Sequence, residues 1–333
     1  MKIEVKKLNL GIEILRMIFA FIILFFHCMN QVIYNNLFIK YFKEVVGLGL
    51  ITFFIISFYF SYNSFSLKKC NKIKERFKRL LIPYIIWPII IYLQKILVKY
   101  INGKENGVLF KFLIYQILIG NGIYSVLWFN FNLIFILLLF TIIIFITKKY
   151  MIFLFLFGLI IFLITFSNIY NQFWDEYNDM VIFPLRPITS TYIYGLIGFF
   201  LSSIKIFEKK NISQRYLLLY FLITSIIFII NNNIFFKAIL KNLLSVLLIS
   251  IFASISHEKL KKSIYTFIKT ITSYTGGIYY IHIYINSLLK NYVLLKFISG
   301  NIFMSIIHYF LCYFICLIGS KLFKNNILKF LFI

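Results

Sequence analysis

Apolar stretches of about 20 residues recur along almost the whole chain, and they limit what it can fold into. A helix of about that length spans the hydrocarbon core of a bilayer, which is about 30 Å thick. Of the 333 residues, 62% are hydrophobic and 14% are charged, which leaves too little polar surface to cover a soluble fold. The sequence therefore predicts an all-α polytopic membrane protein.

We expect about ten transmembrane helices in one integral membrane domain over 1–333, with the bundle at about 8–320 and a short cytoplasmic C-terminal tail. The predicted spans are 8–30, 44–62, 80–100, 125–147, 151–168, 183–204, 214–231, 234–254, 268–289 and 299–320. The tight break at 231–234 predicts a hairpin. The segment 105–119 is apolar but short, so we interpret it as interfacial or re-entrant, with an eleventh span as the alternative.

The distribution of Lys and Arg predicts the orientation, because short cytoplasmic loops retain positive charge. With the N-terminus inside, the cytoplasmic segments hold 23 Lys and Arg residues and the opposite side holds 10. Both termini should therefore be cytoplasmic. We attribute the net charge of +25 to this topology and to anionic lipid headgroups, and not to nucleic acid. A multi-pass protein of the plasma membrane, in bacteria the inner membrane, is expected, and its oligomeric state stays open.

The first predicted span carries three ionisable residues, Glu13, Arg16 and His27. Charged groups inside a span are costly, which makes them candidates for function. On a helix Arg16 and His27 share one face about 16 Å apart, and Glu13 lies one turn before Arg16. The alternative is an ion pair between Glu13 and Arg16 at the helix start, with His27 as a hydrogen-bonded core residue.

Arg76 and Arg79 are two of only five arginines in a chain with 30 lysines, and they precede the proline-containing segment RLLIPY. The arginine fork binds phosphate in a bidentate manner, whereas lysine offers a point charge. The pair therefore indicates phosphate or pyrophosphate recognition on the cytoplasmic face. The alternative is an ordinary positively charged loop.

Several motifs together resemble the membrane acyltransferase-3 family. They are R-x10-H in the first span with an acidic residue three positions earlier, RFKR followed by LLIPY, LWF at 127–129, and GIYYIH at 277–282. The resemblance extends from about residue 8 to 320 and keeps the order of the motifs. It implies transfer of an acyl group, usually acetyl from acetyl-CoA, to a hydroxyl of a cell-surface or lipid-linked glycan.

The residues have chemistry suited to that reaction. His27 would act as general base or as a nucleophile that becomes acylated, and the sequence leaves both roles open. Arg16 would bind CoA or stabilise developing negative charge, and Glu13 would orient Arg16. Arg76 and Arg79 would hold the phosphates of acyl-CoA, which is a donor substrate and not a resident cofactor. The four cysteines lack metal-site spacing with histidine, so no metal is expected.

The acceptor side is assigned to an outer acidic loop, and the alternative is that this loop is only solvated. Sugars are usually held by aromatic faces and carboxylates, and the candidates are Trp128, Trp174, Asp175, Glu176, Asp179, Arg186 and His282. His308 is interpreted as an isolated structural residue. The alternative functions are a polytopic transporter or flippase for a glycan or lipid-linked intermediate, and a scaffold or sensor.

Overall fold

A computed structural model describes residues 10–28, 37–66, 70–101, 109–120, 127–147, 149–165, 186–204, 214–231, 233–255, 262–290, 302–324 and 327–333. In these ranges the regular structure is entirely helical, as predicted. The helices are α1 Leu10–Cys28, α2 Leu37–Ser66, α3 Cys70–Ile101, α4 Leu109–Ile119, α5 Trp128–Ile146, α6 Tyr150–Thr165, α7 Arg186–Ser203, α8 Gln214–Ile230, α9 Ile234–Ala253, α10 Lys262–Ser273, α11 Thr275–Lys290 and α12 Ile302–Leu322. A 3-10 turn follows at Ile327–Leu331.

Six of these helices are long and apolar enough to cross a membrane, namely α1, α2, α3, α5, α9 and α12. The helices α6, α7 and α8 are apolar but shorter, with apolar stretches Tyr150–Ile161, Ile188–Ser203 and Gln214–Ile230. Many large apolar side chains on these helices are exposed, as expected where lipid replaces water as the solvent. The protein is thus an all-helical multi-pass membrane protein, while the number of ten spans and the orientation of the termini stay predictions.

Two segments differ from the prediction in their secondary structure. The ninth predicted span is divided at Tyr274 into α10 and α11, and the first turn of α11 holds Gly276 and Gly277, which favour helix poorly. The basic segment at 71–79, predicted as a loop, is the first part of α3. Lys, Glu, Arg and Leu are good helix formers, and a Glu75–Lys78 ion pair at 3.4 Å adds to this local preference.

The segment 105–119 contains α4, which has only 11 residues and rises about 16 Å. That length is about half of the hydrocarbon thickness, so α4 by itself is too short to span the core; residues 105–108 of the segment lie outside the described residues. The helix ends at Gly120, whose φ of 81° lies in the left-handed region, and whose N–H donates to the carbonyl of Gln116. This is the usual glycine ending of a helix.

The described residues form two compact units, one built from 1–56, 201–318 and 332–333, the other from 57–200 and 319–331. In the first unit α1 packs against α9, α10 and α11. It also contacts α2 through the rings of Phe25 and Phe42, 5.3 Å apart, and α12 through those of Phe21 and Tyr309, 5.7 Å apart. The helix with the three ionisable residues is therefore surrounded by other helices of its unit.

Three further contacts fix helices of the first unit. Gly11 lies so close to the main-chain carbonyl of Phe252 in α9 that no side chain fits between them. Glu44 of α2 forms an ion pair with Lys241 of α9, and the Lys241 ammonium lies 5.8 Å from the centre of the Phe228 ring of α8. The hairpin predicted at 231–234 is confirmed, because α8 and α9 pack together and the Asn233 side chain caps α9.

In the second unit α3 packs against α4, α5 and the 3-10 turn, and α5 packs against α6. The Tyr84 hydroxyl donates to the carbonyl of Gln116 at 2.6 Å and so joins α3 to α4. The Phe140 ring contacts the rings of Phe58, Tyr192 and Phe199. In the 3-10 turn Phe330 and Leu331 are buried, so the segment predicted as a tail is folded against α3.

Candidate active site

Helix α1 is continuous from Leu10 to Cys28, so Arg16 and His27 lie on one helix about 16 Å apart, as predicted. The interpretation of Glu13 and Arg16 as an ion pair is confirmed. Nη1 of Arg16 donates to both carboxylate oxygens of Glu13, at 3.1 and 3.0 Å. The side chain of Glu13 is 7% exposed and that of Arg16 is 30% exposed, so the carboxylate is buried while the guanidinium keeps access to a ligand.

Arg16 also has a partner that the sequence did not indicate. Its Nη2 donates to Oγ1 of Thr275 at 3.2 Å, and the Thr275 hydroxyl donates in turn to the carbonyl of Thr272 at 2.9 Å. Thr275 opens α11 directly after the helix break, where its side chain can face α1. The guanidinium is therefore held from two helices, and its position is fixed before any anion arrives.

At the other end of α1, His27 lies against His282 of α11. The centres of the two imidazole rings are 5.2 Å apart, and the ring planes are inclined by 43°. His282 is buried at 2% exposure, and its Nδ1 is 2.7 Å from the carbonyl oxygen of Tyr279. Thr275 and His282 are about 10 Å apart along α11. The same helix thus contacts both the cationic end and the imidazole end of α1.

The prediction that His308 is isolated is wrong. It lies in α12, is buried at 2% exposure, and its ring lies close to the main chain of His282. His27, His282 and His308 therefore form one group, which we call the histidine cluster. Among the residues that the structure describes, no set of three His, Cys, Asp or Glu side chains is arranged to hold a metal ion.

The predicted phosphate-binding pair lies in the second unit, and its two members differ in environment. Arg76 is partly buried and donates from Nη2 to both the carbonyl and the hydroxyl oxygen of Ser57 in α2. Arg79 is exposed one turn later on α3. The two guanidinium groups are therefore not equivalent. Arg76 joins α3 to α2, whereas Arg79 is accessible to a ligand.

Most of the predicted acceptor residues fall in parts of the chain that the structure leaves undescribed. Trp174, Asp175, Glu176 and Asp179 lie outside the described residues. Arg186 is the first residue of α7. Trp128 is the first residue of α5, as the LWF motif predicted, and its ring lies against that of Phe129. Of the acceptor candidates that the structure describes, His282 is in contact with His27.

This arrangement places two chemically different groups along α1. One end of α1 has a fixed cation that can bind an anion, and the other has an imidazole that can exchange a proton. Neither the curated proteins nor the solved structures that were compared with the chain gave a match. A family model described as an acyltransferase domain matches residues 9–324, which is nearly the whole chain. The chain therefore belongs to the acyltransferase-3 family.

Proposed function

We propose that this membrane acyltransferase is an O-acetyltransferase, which transfers acetyl from cytoplasmic acetyl-CoA to a hydroxyl of a cell-surface or lipid-linked glycan. The observation that supports the proposal most directly is the pairing of the two ends of α1 with α11. Arg16 is held by Glu13 and Thr275, and His27 lies beside His282. A site with one fixed cation and one imidazole suits a thioester donor that carries phosphates. We place the protein in the plasma membrane, in bacteria the inner membrane.

In the proposed reaction His27 is the general base. It takes the proton of the acceptor hydroxyl while the hydroxyl oxygen attacks the thioester carbonyl. The carbon–sulfur bond then breaks, and the imidazolium returns the proton to the leaving thiolate. The products are the O-acetyl ester and free CoA, so no other reactant is needed. Transfer through an acetylated His27 is the competing route, and it would leave a covalent intermediate.

On the donor side Arg16, Arg76 and Arg79 are the proposed contacts. Arg79 is exposed and offers its fork to a phosphate of CoA, while Arg76 is held by Ser57 and positions this part of α3. Arg16 keeps a 30% exposed side chain beside the buried carboxylate of Glu13 and can stabilise negative charge on the donor. Acetyl-CoA is a substrate in this scheme, and no resident cofactor is required.

On the acceptor side we propose that the outer segment binds the glycan. Its carboxylates and tryptophans can hydrogen-bond and stack on sugar rings, and the residues proposed are Trp128, Trp174, Asp175, Glu176, Asp179 and Arg186. His282 would contribute from within the bundle, through its contact with His27.

The test compares two variants of purified protein in lipid nanodiscs. His27→Ala should lower acetyl transfer to a membrane glycan fraction by about 100-fold or more, because the base is lost, while acetyl-CoA binding is retained. Tyr309→Phe is the control, because it removes a hydroxyl with no partner in the described part of the chain from the same buried region. His308, which the sequence analysis interpreted as an isolated structural residue, is unsuitable as a control because it lies close to His282.

Equal loss of transfer in both variants, with loss of folded protein, would make His27 a packing residue. Absence of acetyl-CoA binding and hydrolysis by the wild-type protein would overturn the donor assignment. Mass spectrometry of protein incubated with acetyl-CoA without acceptor and denatured at neutral pH distinguishes the two chemical routes, since an acetyl group on His27 would mean nucleophilic catalysis.

A further inference from the structure

The tautomer of His282 follows from its hydrogen bond. Nδ1 lies 2.7 Å from the carbonyl oxygen of Tyr279, one turn earlier on α11. A carbonyl can only accept, so Nδ1 must carry the hydrogen. A neutral imidazole has one donor nitrogen and one acceptor nitrogen, and Nε2 of His282 is therefore an acceptor.

This acceptor is buried and unsatisfied. His282 is 2% exposed, and its Nε2 has no hydrogen-bond partner among the described residues. A buried polar atom without a partner costs free energy, so such an atom in a folded protein calls for an explanation. The neighbouring imidazole of His27, whose ring centre lies 5.2 Å from that of His282, carries a nitrogen-bound hydrogen that it can donate to an acceptor. Such hydrogen bonds are often long in unliganded sites and shorten when substrate binds.

The acidic residues of the described chain do not supply an alternative orienting group. There are three of them, and each is bound to a cation elsewhere: Glu13 to Arg16, Glu44 to Lys241 and Glu75 to Lys78. In serine hydrolases a carboxylate accepts the N–H of the catalytic histidine and so fixes its tautomer. Here the group found beside His27 is a second imidazole, whose own tautomer is fixed by the main chain of α11.

We propose that His282 is the positioning residue for His27. Its Nε2 accepts the N–H of His27, which leaves the other nitrogen of His27 with its lone pair directed at the acceptor hydroxyl. When His27 takes the hydroxyl proton, the resulting imidazolium shares its other hydrogen with Nε2 of His282. The proton then returns from His27 to the thiolate, and His282 ends the cycle unchanged. The catalytic part of this proposal rests on the proposed acetyl transfer.

Two substitutions of His282 separate this role from packing. His282→Leu fills similar space without an acceptor, whereas the amide oxygen of His282→Gln can accept near the position of Nε2. We expect His282→Leu to lower kcat about 100-fold with KM for acetyl-CoA and glycan changed less than about threefold. His282→Gln should retain at least tenfold more activity than His282→Leu, because it can still orient His27. Tyr309→Phe serves again as the buried control.

Nitrogen-15 spectra of histidine-labelled protein test the hydrogen bond without any activity assay. The chain has four histidines, so the His27 signals can be assigned by difference with His27→Gln. His27 should show one tautomer in the wild-type protein and a mixture in His282→Leu. A mixture in the wild type would overturn the proposal even if His282→Leu fails to fold, and so would equal kcat losses in the Leu and Gln variants.

The two proposals fail in distinguishable ways. If the wild-type protein transfers no acetyl group but His27 shows a single tautomer that depends on His282, the proposed function is wrong and the pairing stands. If transfer occurs but the tautomer of His27 is independent of His282, the pairing is wrong and the acetyltransferase function stands.

Discussion

At the scale of single residues, three glycines of the first unit differ in what a methyl group would meet. At Gly11 a Cβ atom would overlap the main-chain carbonyl of Phe252, which cannot move without its helix. At Gly49 it would meet the Phe19 ring at 2.6 Å, and a ring can turn aside. At Gly47 nothing lies within 4 Å of the Cβ position. The three positions form a graded series with the same chemical change.

We predict that Gly11→Ala lowers the free energy of unfolding by about 3 kcal/mol or more, since α1 and α9 must separate. Gly49→Ala should have an intermediate effect. Gly47→Ala should be neutral or stabilising by up to about 1 kcal/mol, because alanine favours helix over glycine. Thermal unfolding of the purified variants in one detergent provides the ranking. Similar midpoints for the Gly11 and Gly47 variants would mean that the close helix contact is not formed.

Some residues of the candidate site can be predicted from the sequence and others cannot. Glu13, Arg16 and His27 are visible because they are ionisable groups in an apolar run, and the helical period places them on one face. Thr275 is an uncharged residue far along the chain, and nothing in its surroundings indicates a bond to Arg16. His308 looked isolated because its contact with His282 depends on how two separate helices pack, and an apolar span has no pattern that fixes this.

At the scale of helices, α3 differs most from the prediction. It begins at Cys70, so the basic segment predicted as a loop is helical. Positive-inside patterns locate charge but do not distinguish a loop from the end of a long helix, because both carry lysine and arginine. The break between α10 and α11 differs from the prediction, which had one continuous span at 268–289. The predicted span ran through a stretch rich in Thr and Ser around Tyr274, and a stretch of this kind does not by itself mark where a helix ends.

The position of Arg76 and Arg79 on α3 leads to separate expectations for the two residues. Arg79→Lys should raise the Kd for acetyl-CoA about tenfold, because a bidentate phosphate contact is lost, and leave the unfolding midpoint unchanged. Arg76→Lys should lower the midpoint, because its two bonds to Ser57 are lost. Calorimetric titration and thermal unfolding measure the two effects. An unchanged Kd for acetyl-CoA in both variants would mean that the two arginines do not bind the donor and only contribute positive charge on the cytoplasmic side.

At the scale of the whole molecule, the family match and the apolar helices establish a multi-pass acyltransferase, and the orientation is the next quantity to measure. Reporters inserted after residues 70 and 260 should be cytoplasmic, and one after residue 176 should be external, because lysine and arginine concentrate near the first two positions. Paired phosphatase and fluorescent-protein fusions report both outcomes. An external reporter at residue 70 would separate Arg79 from cytoplasmic CoA and exclude the proposed donor site.

The ion pair between Glu44 and Lys241 has a consequence for biogenesis. Helix α9 carries Lys237 and Lys241 in its N-terminal half, and each lysine opposes insertion, though by less than the roughly 3 kcal/mol of a lysine at the centre of a span. Glu44 is synthesised about 200 residues earlier, so the ion pair can form only after α9 has been made. Until then the charge of Lys241 has no counter-ion from α2. A chain without Glu44 would keep that charge unpaired, and we expect its defect to be seen as low abundance in the membrane before it is seen as low activity.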